Sequence, residues 1–181
     1  MVIIFTVDRL SLLYKFYVKY LFIILTCSTF QSCGIYSFTG ASIDPNVKTY
    51  TIHTISNQAP IVVPSLSNTL TESLRQELNT NTNLNQLENS GDLEFAGTIT
   101  NYQVTPVAPQ ANEISAVNRL SITLNVEFIN HQNEKQSWTS AFTRYADYSS
   151  GIDLSTVQEQ LLKEISDQLV EDIFNKAVVN W

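Results

Sequence analysis

Few side chains in this sequence have the type and spacing to do chemistry, and the first is Cys33. It follows Phe30-Gln31-Ser32, at the end of an apolar run (Tyr20-Leu21-Phe22-Ile23-Ile24-Leu25) preceded by Arg9, Lys15 and Lys19. Basic stretch, apolar stretch and a small residue before the cut is the order of a secretory signal. A cysteine just after that small residue is what the bacterial lipoprotein signal peptidase requires. The thiol is acylated, and the amine freed by cleavage takes a further chain. One acyl chain anchors marginally and two or more anchor stably, at about 0.8 kcal/mol per buried methylene. The expectation is a signal peptide over residues 1–32 and Cys33 as the lipidated first residue of the mature chain.

Three other readings compete with this one. A membrane-spanning helix needs about 20 apolar residues, and here Thr26, Ser28, Thr29, Gln31, Ser32 and Gly34 interrupt the run. In an ordinary secretory signal Cys33 would pair or be buried. Its only partner, Cys27, lies inside the apolar segment and leaves with it. An unpaired thiol in an oxidising compartment is a liability unless modified. Acylation at Cys27 instead would put Thr26, a poorer residue than Ser32, before the cut.

Elsewhere the chemical inventory is thin. His53 and His131 stand far apart in the chain and give no metal-ligand spacing. Nucleophile elbow, phosphate-cradling glycine loop and Cys/His pair are all missing from the sequence. The adjacent carboxylates Glu171 and Asp172 fall on the polar side of a predicted helix, where a solvated face is the ordinary meaning. The expectation is a protein without enzymatic activity, cofactor or metal, in which both histidines are structural.

Charge narrows the partners. The 181-residue chain carries a net charge of −7, and cleavage removes Arg9, Lys15, Lys19 and Asp8, leaving −9 on 149 residues. Such a body is not built to wrap nucleic acid or to lie flat on anionic lipid. Attraction to a phosphorylated ligand must come from a local basic patch.

The elements that position these residues fit one domain. Residues 33–46 form a tether closed by an Asp-Pro-Asn turn. Val47–Ile55 is rich in β-branched and aromatic residues and predicts a strand with Tyr50 and Ile52 on one face. Pro64 opens a helix striped by Leu66, Leu70, Leu74 and Leu78, and Asn79–Asn83 stops it. Leu84–Glu88 predicts a short edge strand. From Leu93 the period becomes two, with a phase slip near Thr100-Asn101 that signals a bulge, and Pro106 and Pro109 lead into a loop over 110–118. Leu120, Ile122, Leu124, Val126 and Phe128 alternate with polar residues, the pattern of an antiparallel strand wet on one face. A turn over His131–Lys135 leads to a strand with Trp138, Phe142 and Tyr145. Pairing Asn130 with Gln136 sets Phe128 against Trp138, Leu124 against Phe142, Arg119 against Asp147 and Ile122 against Arg144. A last helix, capped by a Ser155/Gln158 box, carries the stripe Leu154, Val157, Leu161, Ile165, Leu169, Ile173 and Ala177. The predicted fold class is α+β: a two-layer domain over 47–181, with a mainly antiparallel sheet packed on one face by two helices.

Three phrases carry a family resemblance: Cys33-Gly34-Ile35-Tyr36-Ser37-Phe38-Thr39-Gly40, Asn118-Arg119-Leu120-Ser121-Ile122, and the closing run from Val170-Glu171-Asp172-Ile173-Phe174 to Trp181. Together with the element order they resemble the lipopolysaccharide-assembly lipoprotein family LptE as found in Bacteroidetes. The resemblance implies an outer-membrane lipoprotein with a small α+β domain. Its implied partners are an LptD-like β-barrel, which it plugs and helps to assemble, and lipopolysaccharide. It carries over no lipopolysaccharide-contacting residues, because no motif fixes their positions here. By clustering on one hairpin, Arg119, Lys135 and Arg144 are the candidates for lipid A phosphates, against the simpler reading of an Arg119–Asp147 pair with two solvated neighbours. The mature start lacks an acidic run after the cysteine, which favours the periplasmic face. The alternative function is a periplasmic lipoprotein adaptor of another envelope transport complex, without glycolipid binding. Third comes a soluble domain for a small ligand, which would need a ligand-sized apolar cavity under the sheet.

Overall fold

The computed structural model describes residues 43–107 and 116–179. The signal segment, Cys33, the tether up to residue 42 and most of the 110–118 loop therefore lie outside the described residues. Within them the chain runs β1 (Thr49–Ile52), β2 (Ser56–Asn57), α1 (Pro64–Asn81), β3 (Asn85–Gln86), β4 (Leu93–Val107), β5 (Val117–Asn130), β6 (Trp138–Ser149) and α2 (Leu154–Phe174). A 3-10 turn at Glu134–Gln136 precedes β6, and a π turn at Asn175–Val179 follows α2. No described helix is long and apolar enough to cross a membrane.

The strands form one sheet in the order β3-β1-β4-β5-β6, with β2 also on β4. The long pairs β4/β5 and β5/β6 are antiparallel, while β1 runs parallel to both β3 and β4. The sheet is thus mixed at its first edge, because α1 lies between β1 and β4 in the chain and returns it in the same direction. The fold is the expected two-layer α+β arrangement.

Periodicity places one face of the sheet against the helices. Leu120, Ile122, Leu124, Val126 and Phe128 of β5 are all buried, as are Leu66, Leu70, Leu74 and Leu78 of α1 and Leu161, Ile165, Leu169 and Ile173 of α2. The aromatic rings Phe95, Phe128, Trp138 and Phe142 form a chain across β4, β5 and β6, with centroids 5.0, 5.3 and 5.8 Å apart. This is the geometry that favours tilted and edge contacts. Phe128 faces Trp138, Leu124 faces Phe142, Ile122 faces Arg144 and Arg119 faces Asp147, the register read from the sequence. The register shift falls between Ile99 and Asn101, at the predicted bulge.

Two local expectations are corrected. The strand over Val47–Ile55 is broken, because the amide of Ile55 leaves the ladder and donates to Thr71 Oγ1 of α1 at 3.1 Å. The chain rejoins the sheet only at Ser56. The Ser155/Gln158 capping box does not start α2 either. Asp153 is the N-cap, and its carboxylate accepts from the Ser155 amide at 2.8 Å. Asp and Ser two residues apart both satisfy the capping chemistry, and the helix starts at the earlier one.

Candidate functional site

With both described helices on one side, no described element covers the other side of the sheet. Alternation puts Thr98, Asn101 and Gln103 of β4, Ser121, Thr123, Asn125 and Glu127 of β5, and Thr139, Ala141 and Thr143 of β6 on it. In this central field Glu127 is the one ionised side chain among the described residues. The hydroxyls bond to each other across strands, Thr123 to Thr143 at 2.9 Å and Ser56 to Thr98 at 3.0 Å. A shallow depression of about 480 Å³ lies on the β2 side, lined by Ser56, Thr98, Asn125, Glu127 and Thr139. Such a surface offers donors and acceptors while burying little charge. Its loss of water costs far less than that of ionised groups.

The three cationic candidates are not brought together. Arg119 lies on the uncovered face, where its guanidinium donates twice to Asp147, at 2.8 Å each, and stacks 3.7 Å from the centre of the Tyr145 ring. The hydrogen bonds from Arg119 hold the Asp147 carboxyl below its ordinary pKa. Arg144 lies on the opposite face, toward the helices, and donates to Asp172 of α2 at 2.6 and 2.5 Å. Lys135 sits exposed in the 3-10 turn at the far end of the hairpin. Eleven strand positions separate that end from Arg119, roughly 35 Å at the rise of a strand.

Sequence reasoning missed a corner at which long-range contacts converge. His53, after β1, and His131, after β5, both reach Glu94 on β4. His53 Nε2 meets Oε1, and His131 Nε2 lies 2.8 Å from Oε2. These bonds hold the Glu94 carboxyl below its ordinary pKa. Both oxygens are thereby occupied, and among the described residues no group of three or more His, Cys, Asp or Glu side chains has the arrangement to hold a metal ion. Beside it Asp92 accepts from the Lys48 and Thr49 amides, the Thr49 hydroxyl and the Gln132 amide side chain. No short motif signals either group, because the partners lie 37 to 44 residues apart.

Under the sheet, the apolar space lined by Ile52, Ile55, Leu74, Phe95 and Ile173 amounts to about 10 Å³. That is no more than a single water probe. The cavity a small-ligand domain would need is not in this part of the core.

A minor lipoprotein from Acinetobacter baumannii superposes with a TM-score of 0.48 at 14% identity, covering 74% of this chain and 94% of that one. The rare lipoprotein B from Shewanella oneidensis does so with a TM-score of 0.42 at 15% identity, covering 69% of this chain and 91% of that one. No curated protein sequence matches. The family described as LptE, lipopolysaccharide-assembly, matches residues 47–177, which takes in every described strand and both described helices. The chain belongs to the LptE lipopolysaccharide-assembly family.

Proposed function

We propose that this chain is an outer-membrane lipoprotein, cleaved after residue 32 and acylated at Cys33, whose 47–181 domain plugs and helps assemble an LptD-like β-barrel. Residues 33–46 tether that domain to the periplasmic leaflet. Lipopolysaccharide is the cargo, and the protein acts by occupancy and contact, without catalysis or cofactor. Family membership supports the lipopolysaccharide-assembly role.

The observation that carries the plug reading is the uncovered sheet face. The lumen of a large barrel is polar and lined by alternate strand residues. A guest buried there must exchange water for hydrogen bonds without stranding charge. The field of Ser, Thr, Asn and Gln side chains around Thr123 can make that exchange. Arg119, Lys135 and Arg144 are proposed as separate contact points for lipid A phosphates. The first two meet a ligand from the uncovered face and the hairpin turn. Arg144 would first have to release Asp172.

The test is a pull-down from native outer membranes in mild detergent through a C-terminal tag, with wild type and Cys33→Ala side by side. A barrel protein several times larger, recovered in stoichiometric amount with wild type, is the expected result. The Cys33→Ala sample then separates anchoring from complex formation. Wild type that comes down alone, or with inner-membrane transport subunits, replaces the plug with an adaptor of another complex.

A further inference from the structure

The two edges of the sheet are built differently. One ends in β3, only two residues long. The other is β6, which pairs with β5 from Trp138 to Ser149 without any register shift. Proteins usually blunt such an edge with proline, lysine, a bulge or brevity. β6 has none of these, and its two charges, Arg144 and Asp147, are held by Asp172 and Arg119. The Ser150 amide donates to Ala116 O at 3.1 Å and continues the β5/β6 ladder. In an antiparallel pair bonded residues alternate. Even-numbered residues of β6 therefore bond to β5, and the amides and carbonyls of Thr139, Ala141, Thr143, Tyr145 and Asp147 point away from the sheet. No backbone bond from another described segment reaches them.

We propose that this edge pairs with the β6 edge of a second copy of the chain, antiparallel, about a two-fold axis through Thr143. The occupant follows from the side chains of β6 itself. A continuous sheet that keeps both helical layers on one side must pair odd residues with odd ones and even with even. Only two such registers use nearly the whole strand. One sets Arg144 against Arg144 of the other copy, and like charges directly opposite are destabilising. The other sets Thr143 against Thr143, Ala141 against Tyr145 and Thr139 against Asp147 on the uncovered face. On the helix side it sets Trp138 against Tyr148 and Phe142 against Arg144. Aromatic pairs and an arginine over a ring are favourable cross-strand neighbours. In this register Tyr145, 49% exposed in the single chain, gains a neighbour on its open flank. The inference does not depend on the barrel reading, since it concerns the chain while no other strand covers β6.

The experiment uses the full chain, tagged at its C-terminus and purified in mild detergent. Thr143→Cys and Thr139→Cys are each oxidised beside the parent, which reports whatever Cys27 and Cys33 contribute. Bonded pairs in an antiparallel ladder have Cα atoms about 5.5 Å apart, within reach of a disulfide. Thr143→Cys is expected to form covalent dimer, with Thr139→Cys no higher than the parent. Thr143→Lys places like charges on the axis at an exposed position. It is expected to weaken dimerisation by about tenfold or more in light scattering, with the folded circular-dichroism spectrum of the parent retained. A parent chain that stays monomeric at about 100 μM overturns the proposal. Equal cross-linking at Thr139 and Thr143, or a Thr143→Lys variant as dimeric as the parent, does the same.

Discussion

Both oxygens of Asp92 are engaged, Oδ2 by two amides and a hydroxyl at 2.9 Å and Oδ1 by Gln132 at 2.7 Å. The Asp92 amide returns a bond to Thr49 Oγ1, and its carbonyl accepts from the His131 amide. One side chain thus ties the start of β1 to β4 and to the turn after β5. Its neighbour Gly91 packs so close that a Cβ there would lie 2.5 Å from the Tyr50 carbonyl carbon, so the corner tolerates no side chain. Asp92→Ala leaves several of these donors unpaired, and a loss of about 2 kcal/mol is expected in urea denaturation at neutral pH. Hydrogen bonds, the Lys48 amide foremost, lower the Asp92 pKa from 3.8 to about 2. A carboxylate depressed in the folded state adds stability that is full above its unfolded pKa and lost as pH falls through the folded one. The window is therefore about pH 4 to pH 2. With its partial exposure discounted, about 1–2 kcal/mol should disappear across it. Asp92→Asn should flatten that part of the acid limb, and denaturation midpoints at pH 5, 3.5 and 2 check the slope.

At the scale of elements, what the sequence revealed and what it hid follow from how far each signal reaches. The β5/β6 register was legible because a short turn fixes the pairing and a slip by one residue would expose Phe128 and Trp138. The bulge at Thr100 was legible because both apolar phases, Ile99 and Tyr102, are buried on one face. The parallel β1/β4 pairing was not, because periodicity reports which face is buried and is silent on which strand lies alongside. The break between β1 and β2 was hidden for a related reason. Its cause is Thr71, sixteen residues on from Ile55, whose hydroxyl accepts from that amide and donates to Ser67 O at 2.7 Å. A buried threonine on a leucine-striped helix gives no sign of a backbone partner in another element. Thr71→Val keeps the shape and leaves the Ile55 amide without an acceptor. It should cost about 1–3 kcal/mol. Faster hydrogen exchange at Ile55, with the long β4/β5 ladder still protected, would locate the loss at this junction. Unchanged stability would mean that the amide finds another acceptor.

For the whole molecule, the two faces of the domain make opposite demands, and this decides how the plug reading can fail. The helix layer carries the acidic surface, including Glu159, Glu164, Asp167 and Glu171, all exposed or nearly so. The sheet layer presents the nearly uncharged field around Thr123 and Asn125. A polar lumen wall that closes on the sheet layer buries little unpaired charge, whereas closure on the helix layer would desolvate several carboxylates at once. Asn125→Arg places a long cation in the middle of the sheet field at an exposed position. Folding should be untouched, with the melting midpoint within about 2 °C of the parent, as for surface substitutions generally. Recovery of the barrel in the pull-down should fall by about tenfold or more, because a long cationic side chain would have to be desolvated and fitted against the lumen wall. Gln76→Arg on α1 is the matched change on the other layer and should leave recovery as it was. If Gln76→Arg releases the barrel and Asn125→Arg does not, the helices face the wall and the uncovered sheet faces the passage for lipopolysaccharide. If both variants retain the barrel, neither layer is the contact, and the domain meets its partner through the strand ends and turns.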